Sequence, residues 1–346
     1  MDNSKSENVY ADAVAKGKKM LQAKNCFAPT GDCEGKIISA HTISKCHGLR
    51  EIATQGQVYQ VHADSWSSSY EELMKMRTRG VSQASTFNGF CEKHDAELFS
   101  AVENHPFTGT AEQVFLLMYR TICKELFLKR TQMRQSEQLR FIEAAKVGAS
   151  PDEMSPTALG NLYEAGVELG VDDLLKDKAK MDQWLLSKEF GHIEACIIRC
   201  GTKPDLVCSG YYAPHFDFCG NQLQQDFMAT NQLNHIYCNV MALSRGGWIV
   251  LAYFKGEGDG PRELINTLIQ TRQPDAATAW LTFVHFENAA YRIGWWDALP
   301  SDLQKRALWT CRDVMNPFST VENQIHKMLF TGYVNWEPGK PRWVNR

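Results

Sequence analysis

The chain contains no apolar run approaching the roughly 20 residues that a membrane-spanning helix requires. Its opening, Met1-Asp-Asn-Ser-Lys-Ser-Glu7, has no apolar core of the kind a secretory signal carries, so a cytoplasmic location is expected. Charge excess is missing too. Thirty-seven Lys and Arg stand against forty Asp and Glu, a net charge of -3, which gives no global attraction to a polyanion. Any phosphate binding must therefore use a local basic surface. There is no P-loop, and no glycine-rich dinucleotide signature follows a strand. The eleven cysteines are odd in number and irregularly spaced, which argues against a disulfide framework and for a reducing compartment.

What is present is an ordinary globular composition, 44% hydrophobic and 22% charged, in 346 residues, enough for two or three domains. Against that background four residues stand out: Cys26, Cys33, Cys91 and His94. Zinc takes four ligands of Cys and His type in a tetrahedron, and so holds together a segment with too little apolar surface to fold alone. The second pair, Cys91-Glu-Lys-His94, opens an amphipathic stretch Asp95–Val102, which places both ligands at a helix N-terminus. The first pair is looser, Cys26-Phe-Ala-Pro-Thr-Gly-Asp-Cys33, with Pro29, Thr30 and Gly31 supplying a turn. A Cys-x-x-His taken alone is a weak signal, because cysteines are often small buried apolar residues. Between the pairs, residues 35–44 are apolar and β-branched enough to form a strand that carries His41. Cys46 and His47 follow on a short helix and read as bystanders to the ligand set.

This arrangement resembles the ββα-metal finger of HNH-type endonucleases, built on a treble-clef zinc knuckle. The shared features are a Cys pair, a strand ending in Ala40-His41-Thr42-Ile43, a loop, and Cys-x-x-His on a helix. The likeness spans residues 24–103. It implies a structural Zn2+ on Cys26, Cys33, Cys91 and His94, and His41 as the general base that activates water for phosphodiester hydrolysis. A neutral imidazole suits that task near pH 7. It further implies Asp95, with Asn88, as the place of a catalytic Mg2+ or Mn2+, because hard cations take oxygen ligands. The sequence departs from the family in two ways. Phe99 occupies a position where many members carry a histidine, and the loop 44–84 replaces a short hairpin. A buried core histidine is the competing reading of His41.

Lys16, Lys19 and Lys24 cluster on a helix leading into the finger and, with Lys45, are candidate nucleic-acid contacts. Arg120, Lys124, Lys129, Arg130, Arg134, Arg140 and Lys146 fall on a long helical segment, and Arg120, Lys124, Arg130 and Arg134 recur at spacings near three or four, as either a solvated face or a nucleic-acid-facing stripe. The fold class read from the chain is α+β, in three parts. Residues 1–105 hold a leading helix and the zinc-stabilised ββα finger. Residues 106–190 hold a helical pair (111–147 and 156–188) that serves as spacer, dimerisation surface or clamp. Residues 191–346 hold an antiparallel sheet with helices. In the last part, 193–200 with 205–212 and 234–243 with 248–254 read as hairpins. Pro261 opens a helix, and further helices are expected near 276–290, 300–315 and 318–331.

The functional expectation is a metal-dependent nuclease acting on DNA or RNA, with the C-terminal part as its controller. Such a pairing would suit host defence, by analogy alone. Its partners would be nucleic acid and either a second copy of the chain or a regulatory protein. The alternative is a non-catalytic, zinc-stabilised binding or sensing protein.

Overall fold

A computed structural model of the chain describes residues 24–63, 74–147, 158–224, 233–313 and 322–346. Strands β1 (Ile37–His41) and β4 (Thr86–Cys91) form a two-stranded sheet. The long insertion between them begins with helical turns at Lys45–Leu49 that continue into α1 (Arg50–Ile52), then forms β2 (Gln57–Ala63) and β3 (Met74–Gly80). Helix α2 (Glu92–Leu98) starts at the residue after Cys91, and α3 (Ser100–Glu103) and α4 (Ala111–Val147) follow. Thr110 caps α4: the Gln113 N–H donates to Thr110 Oγ1 at 3.2 Å, and Gln113 Oε1 accepts from the Thr108 and Gly109 amides. Helix α5 (Ala158–Ser187) completes the helical pair.

The C-terminal part supplies β5 (Ile193–Cys200), β6 (Leu206–Tyr212), β7 (Ile236–Ala242), β8 (Gly247–Phe254), α6 (Gly260–Gln270), α7 (Pro274–His285), β9 (Ala289–Tyr291), α8 (Ile293–Asp297), α9 (Ser301–Asp313) and β10 (Arg342–Val344). An eight-stranded antiparallel sheet runs β10-β5-β8-β7-β6-β9-β2-β3 among the described residues. The α+β reading therefore holds. The loop expected at 44–84 instead gives this sheet two of its strands.

One expected hairpin is corrected. Strands β5 and β6 exist, but β5 pairs with β8 and β10, and β6 with β7 and β9. The turn between β5 and β6 is engaged elsewhere: the Gly201 and Thr202 amides donate to the carbonyls of Glu337 and Trp336. The β7–β8 hairpin is as expected. It closes on Gly246 at φ +86°, where a Cβ would lie 2.2 Å from the Cys200 carbonyl oxygen. The helix expected near 318–331 is only a 3-10 segment, Glu322–Lys327, and residues 314–321 lie outside the described set.

Both faces of the central strands are covered, which explains why they read as near-continuous apolar runs. In β6, Leu206 and Cys208 point into a large core with Ile198, Leu251, Leu268 and Phe283, while Val207 packs on the other face with Ile43, Leu49, Ile52 and Val58. The chain resolves into two compact units. One comprises the chain up to Ala40, Phe87–Asp95 and Ile122–Leu186, and the other comprises His41–Thr86, Ala96–Thr121 and Ser187–Arg346. No helix among the described residues is long and apolar enough to cross a membrane.

Candidate functional site: a Cys3His cluster and the His41 cleft

In the first unit, the chain before β1 lies against β4, with the Phe27 amide donating to the Gly89 carbonyl at 2.8 Å. This carries Cys26 to the end of β4, where Cys91 stands. The chain turns at residues 29–31 and reverses at Gly35, whose φ of +74° an L side chain rarely adopts. The Glu92 amide then donates to the Lys36 carbonyl at 3.1 Å, which fixes Cys33 beside the start of α2. The result is a cluster of Cys26, Cys33, Cys91 and His94 whose ligand atoms all lie within 4.8 Å of one another. It is the one such group of three or more Cys, His, Asp or Glu residues among the described residues.

The geometry discriminates between packing and coordination. His94 Nδ1 lies 3.3 Å from Cys26 Sγ, 3.7 Å from Cys33 Sγ and 3.3 Å from Cys91 Sγ. A tetrahedral zinc with bonds of about 2.3 Å to sulfur and 2.05 Å to nitrogen spaces each sulfur–nitrogen edge at about 3.6 Å. The three distances bracket that value, so the group can hold a metal ion and its donor set suits zinc.

The outer shell fits as well. His94 Nε2 stands 2.9 Å from Thr30 Oγ1 and 3.2 Å from Asp32 Oδ1. A carboxylate there makes Nε2 the protonated nitrogen and frees Nδ1 to ligate. The Lys93 ammonium, 2.7 Å from Asp32, together with Thr30 and His94, holds the Asp32 carboxyl well below the usual carboxylate range. At Cys91, burial raises the thiol, but the His94 and Glu34 amides aimed at the sulfur prevail and bring it down to about 7. At Cys33, desolvation and the neighbouring Cys26 and Cys91 thiols push the group up to about 11. Three thiols so close together are stabilised as thiolates by a divalent cation, which also displaces their protons.

The other sequence-predicted residues fall as follows. Asn88 is half-buried in β4, and Asp95 is half-buried in α2, one residue beyond His94. Lys24 is exposed two residues before Cys26. Lys16 and Lys19 lie outside the described residues.

His41, in the second unit, ends β1 and is half-buried. Its Nε2 lies 3.0 Å from the Val81 carbonyl oxygen. A carbonyl only accepts, so Nε2 carries the proton and Nδ1 is the basic nitrogen. Burial lowers the His41 pKa, helped by the charges of Lys45 and Arg120 and opposed by the Val81 bond and Glu103. The ring is therefore neutral at pH 7.

Beside it, a small cleft is lined by Thr42, Ser44, Glu103, Arg120 and Asn239, among others. Ser44 donates to Glu103 at 2.8 Å, and Arg120 forms an ion pair with the same carboxylate. Burial raises the Glu103 pKa, but the Arg120 charge and hydrogen bond and the Ser44 hydroxyl outweigh it, so the group stays ionised. Thr42 Oγ1 is buried without a hydrogen-bond partner among the described residues.

No motif or spacing points to Glu103. Helical spacing puts Arg120 and Lys124 on a basic face, but Arg120 is buried against the Phe99 ring, 3.9 Å from its centroid, and Lys124 is buried beside Phe87 and Phe127. Neither faces solvent or a nucleic acid. Phe99, where the HNH pattern often has a histidine, is the ring on which that guanidinium rests. The cysteines of the large sheet are inert by comparison: burial pushes Cys196 and Cys200 up to about 12. No family model, no curated protein and no solved structure matches this chain.

Proposed function

We propose that the chain is a metal-dependent nuclease that hydrolyses phosphodiester bonds of DNA or RNA, with a structural zinc on Cys26, Cys33, Cys91 and His94. One observation carries this reading: the bond from His41 Nε2 to the Val81 carbonyl, which fixes the tautomer and leaves a neutral Nδ1 to accept a proton. A general base needs both properties, a defined direction and a pKa below the working pH. The order β1, β4, α2 around the Cys3His cluster is the ββα order that the HNH resemblance implies.

In this mechanism His41 takes the proton from the attacking water. The Val81 carbonyl keeps the ring oriented, and Lys45, whose charge already reaches His41, favours a phosphate nearby. Asp95 with Asn88 is the proposed holder of Mg2+ or Mn2+, an oxygen-ligand site that suits a hard cation. When bound, that ion would stabilise charge on the leaving oxygen. A zinc ion on Cys26, Cys33, Cys91 and His94 would brace the start of α2, where Asp95 follows His94 by one residue.

The same Val81 bond would also serve a histidine that only ties β1 to the end of β3, as in a zinc-stabilised binding or sensing protein. Cleavage of plasmid DNA and structured RNA with Mg2+ or Mn2+ separates the two readings. Wild type should cut and His41→Ala should not, with equal zinc content in both. Equal cutting by both removes His41 from the chemistry, and cutting by neither favours the binding protein.

A further inference from the structure

Three of the free cysteines are exposed, Cys33, Cys46 and Cys219. Of these only Cys33 belongs to the Cys3His cluster. The four ligands of that cluster grade from outside to inside: Cys33 is exposed, Cys26 half-buried, and Cys91 and His94 buried. A thiolate is the nucleophilic form of cysteine, and a bound divalent cation keeps a coordinating sulfur in that form. Cys33 thus combines reactivity with access, and the buried thiols Cys196 and Cys200 have neither.

The cluster also supplies a second sulfur. Two sulfurs on a tetrahedral zinc stand about 3.8 Å apart, and a disulfide brings them to about 2.05 Å. Cys26 and Cys33 flank one turn, residues 27–32, in which a Cβ on Gly31 would meet nothing within 4 Å. That open turn leaves the pair room to close. Cys91 is held instead: it ends β4, α2 starts at the next residue, and its sulfur accepts from the His94 and Glu34 amides. Swinging it toward Cys33 breaks those bonds. Closing Cys26 on Cys33 spares the contacts that keep this limb in place without metal. The Phe27 amide donates to the Gly89 carbonyl at 2.8 Å, the Glu92 amide donates to the Lys36 carbonyl at 3.1 Å, and the Lys93 ammonium lies 2.7 Å from Asp32 and 3.2 Å from Glu34. The change is therefore reversible.

We propose that Cys33 is a thiol oxidation site: a hydroperoxide oxidises it, Cys26 resolves it as a disulfide, and the cluster gives up its zinc. This goes beyond the nuclease reading and rests on the zinc assignment alone. The Cys33 sulfur attacks a peroxide oxygen, the O–O bond breaks, and the departing hydroxide or alkoxide is protonated to water or alcohol. The Cys26 sulfur then attacks the Cys33 sulfenic acid, the S–S bond forms, the S–O bond breaks, and hydroxide leaves to become water. Two electrons pass from the two sulfurs to one hydroperoxide. Cys91 and His94 remain, two donors where zinc takes four.

The test uses the full chain loaded with zinc and hydrogen peroxide as the oxidant. Released metal is read with a chromogenic chelator, and disulfides are mapped by peptide mass spectrometry. Peroxide should release one zinc per chain together with a Cys26–Cys33 disulfide, and dithiothreitol with Zn2+ should restore the cluster. Cys26→His keeps four zinc-type donors and removes the resolving sulfur, so its release should be at least tenfold slower. Cys46→Ser and Cys219→Ser, which remove the other exposed thiols, should release zinc at the wild-type rate. If Cys26→His takes up no zinc, the disulfide map of wild type decides. A disulfide from Cys33 to Cys91, or zinc retained after Cys46 and Cys219 are oxidised, overturns the proposal and leaves the zinc assignment standing. A chain that binds no zinc before peroxide is added overturns both.

Discussion

His94 is held from both sides: Nε2 lies 3.2 Å from Asp32 Oδ1, while Nδ1 lies 3.3 Å from Cys91 Sγ. A carboxylate behind a ligating imidazole fixes its tautomer and raises its basicity. Removing the carboxylate in Asp32→Ala should therefore lower zinc affinity by about 10- to 100-fold while all four ligands remain. Competition with a chromogenic chelator measures this. An affinity within twofold of wild type would show that Asp32 serves only its surface pairs with Lys93.

Losing a ligand should be harsher. Cys91→Ser should take zinc content from one per chain to near zero and lower the melting temperature, because the metal closes segments far apart in sequence. Cys46→Ser, on an exposed residue outside the cluster, should change neither. Metal analysis on both variants checks the assignment, and a zinc-free wild type would refute it.

Cleavage should be pH-dependent in a defined sense. His41 must be neutral to accept a proton, and burial holds its pKa below the ordinary 6.5. The rate should thus lie on its plateau at pH 7 and fall only as pH drops through a value below 6.5. A limb with its midpoint above 7 in the pH profile of kcat/KM would contradict the role given to His41.

The Glu103–Arg120 pair beside the cleft is structural and buried on the Arg120 side. Arg120→Ala leaves the carboxylate without its main counter-charge and exposes the Phe99 ring to a void, which should cost about 3–5 kcal/mol. The stabilisation that Glu103 supplies is present above its ordinary pKa of 4.5 and is lost as pH falls through its lower folded value. Urea denaturation at pH 7 and at pH 3 should show the difference between wild type and Arg120→Ala shrinking with acid.

Ser85 joins the insertion to the large sheet. Its hydroxyl donates to Asn288 Oδ1 at 2.7 Å and accepts from the Ile43 amide at 3.0 Å. Ser85→Ala strands both groups in a buried site and should cost about 1–3 kcal/mol in chemical denaturation. A loss below about 0.5 kcal/mol would mean that water replaces the hydroxyl.

Local signals were legible in the sequence. The Cys and His spacing, the strand through His41 and the β7–β8 turn each depend on residues near one another, so pattern alone places them. The cluster of Cys26, Cys33, Cys91 and His94 was readable because few residue types can form such a site. The basic helix face misled for the opposite reason. Spacing puts Arg120 and Lys124 on one side of a helix, but whether that side meets water or a neighbour depends on what packs there.

The sequence by itself thus determined the α+β class, most element positions and the four residues of the candidate metal cluster, all consequences of local periodicity and of the chemistry of sulfur and imidazole. Tertiary structure alone decided that β5 pairs with β8 and not with β6. It also decided that residues 42–85 give two strands to the large sheet, that Arg120 is buried against Phe99 and Glu103, and that Val81 orients His41. Those outcomes come from long-range pairing, in which hydrogen bonds and burial between distant segments outweigh any preference written in a short window of sequence.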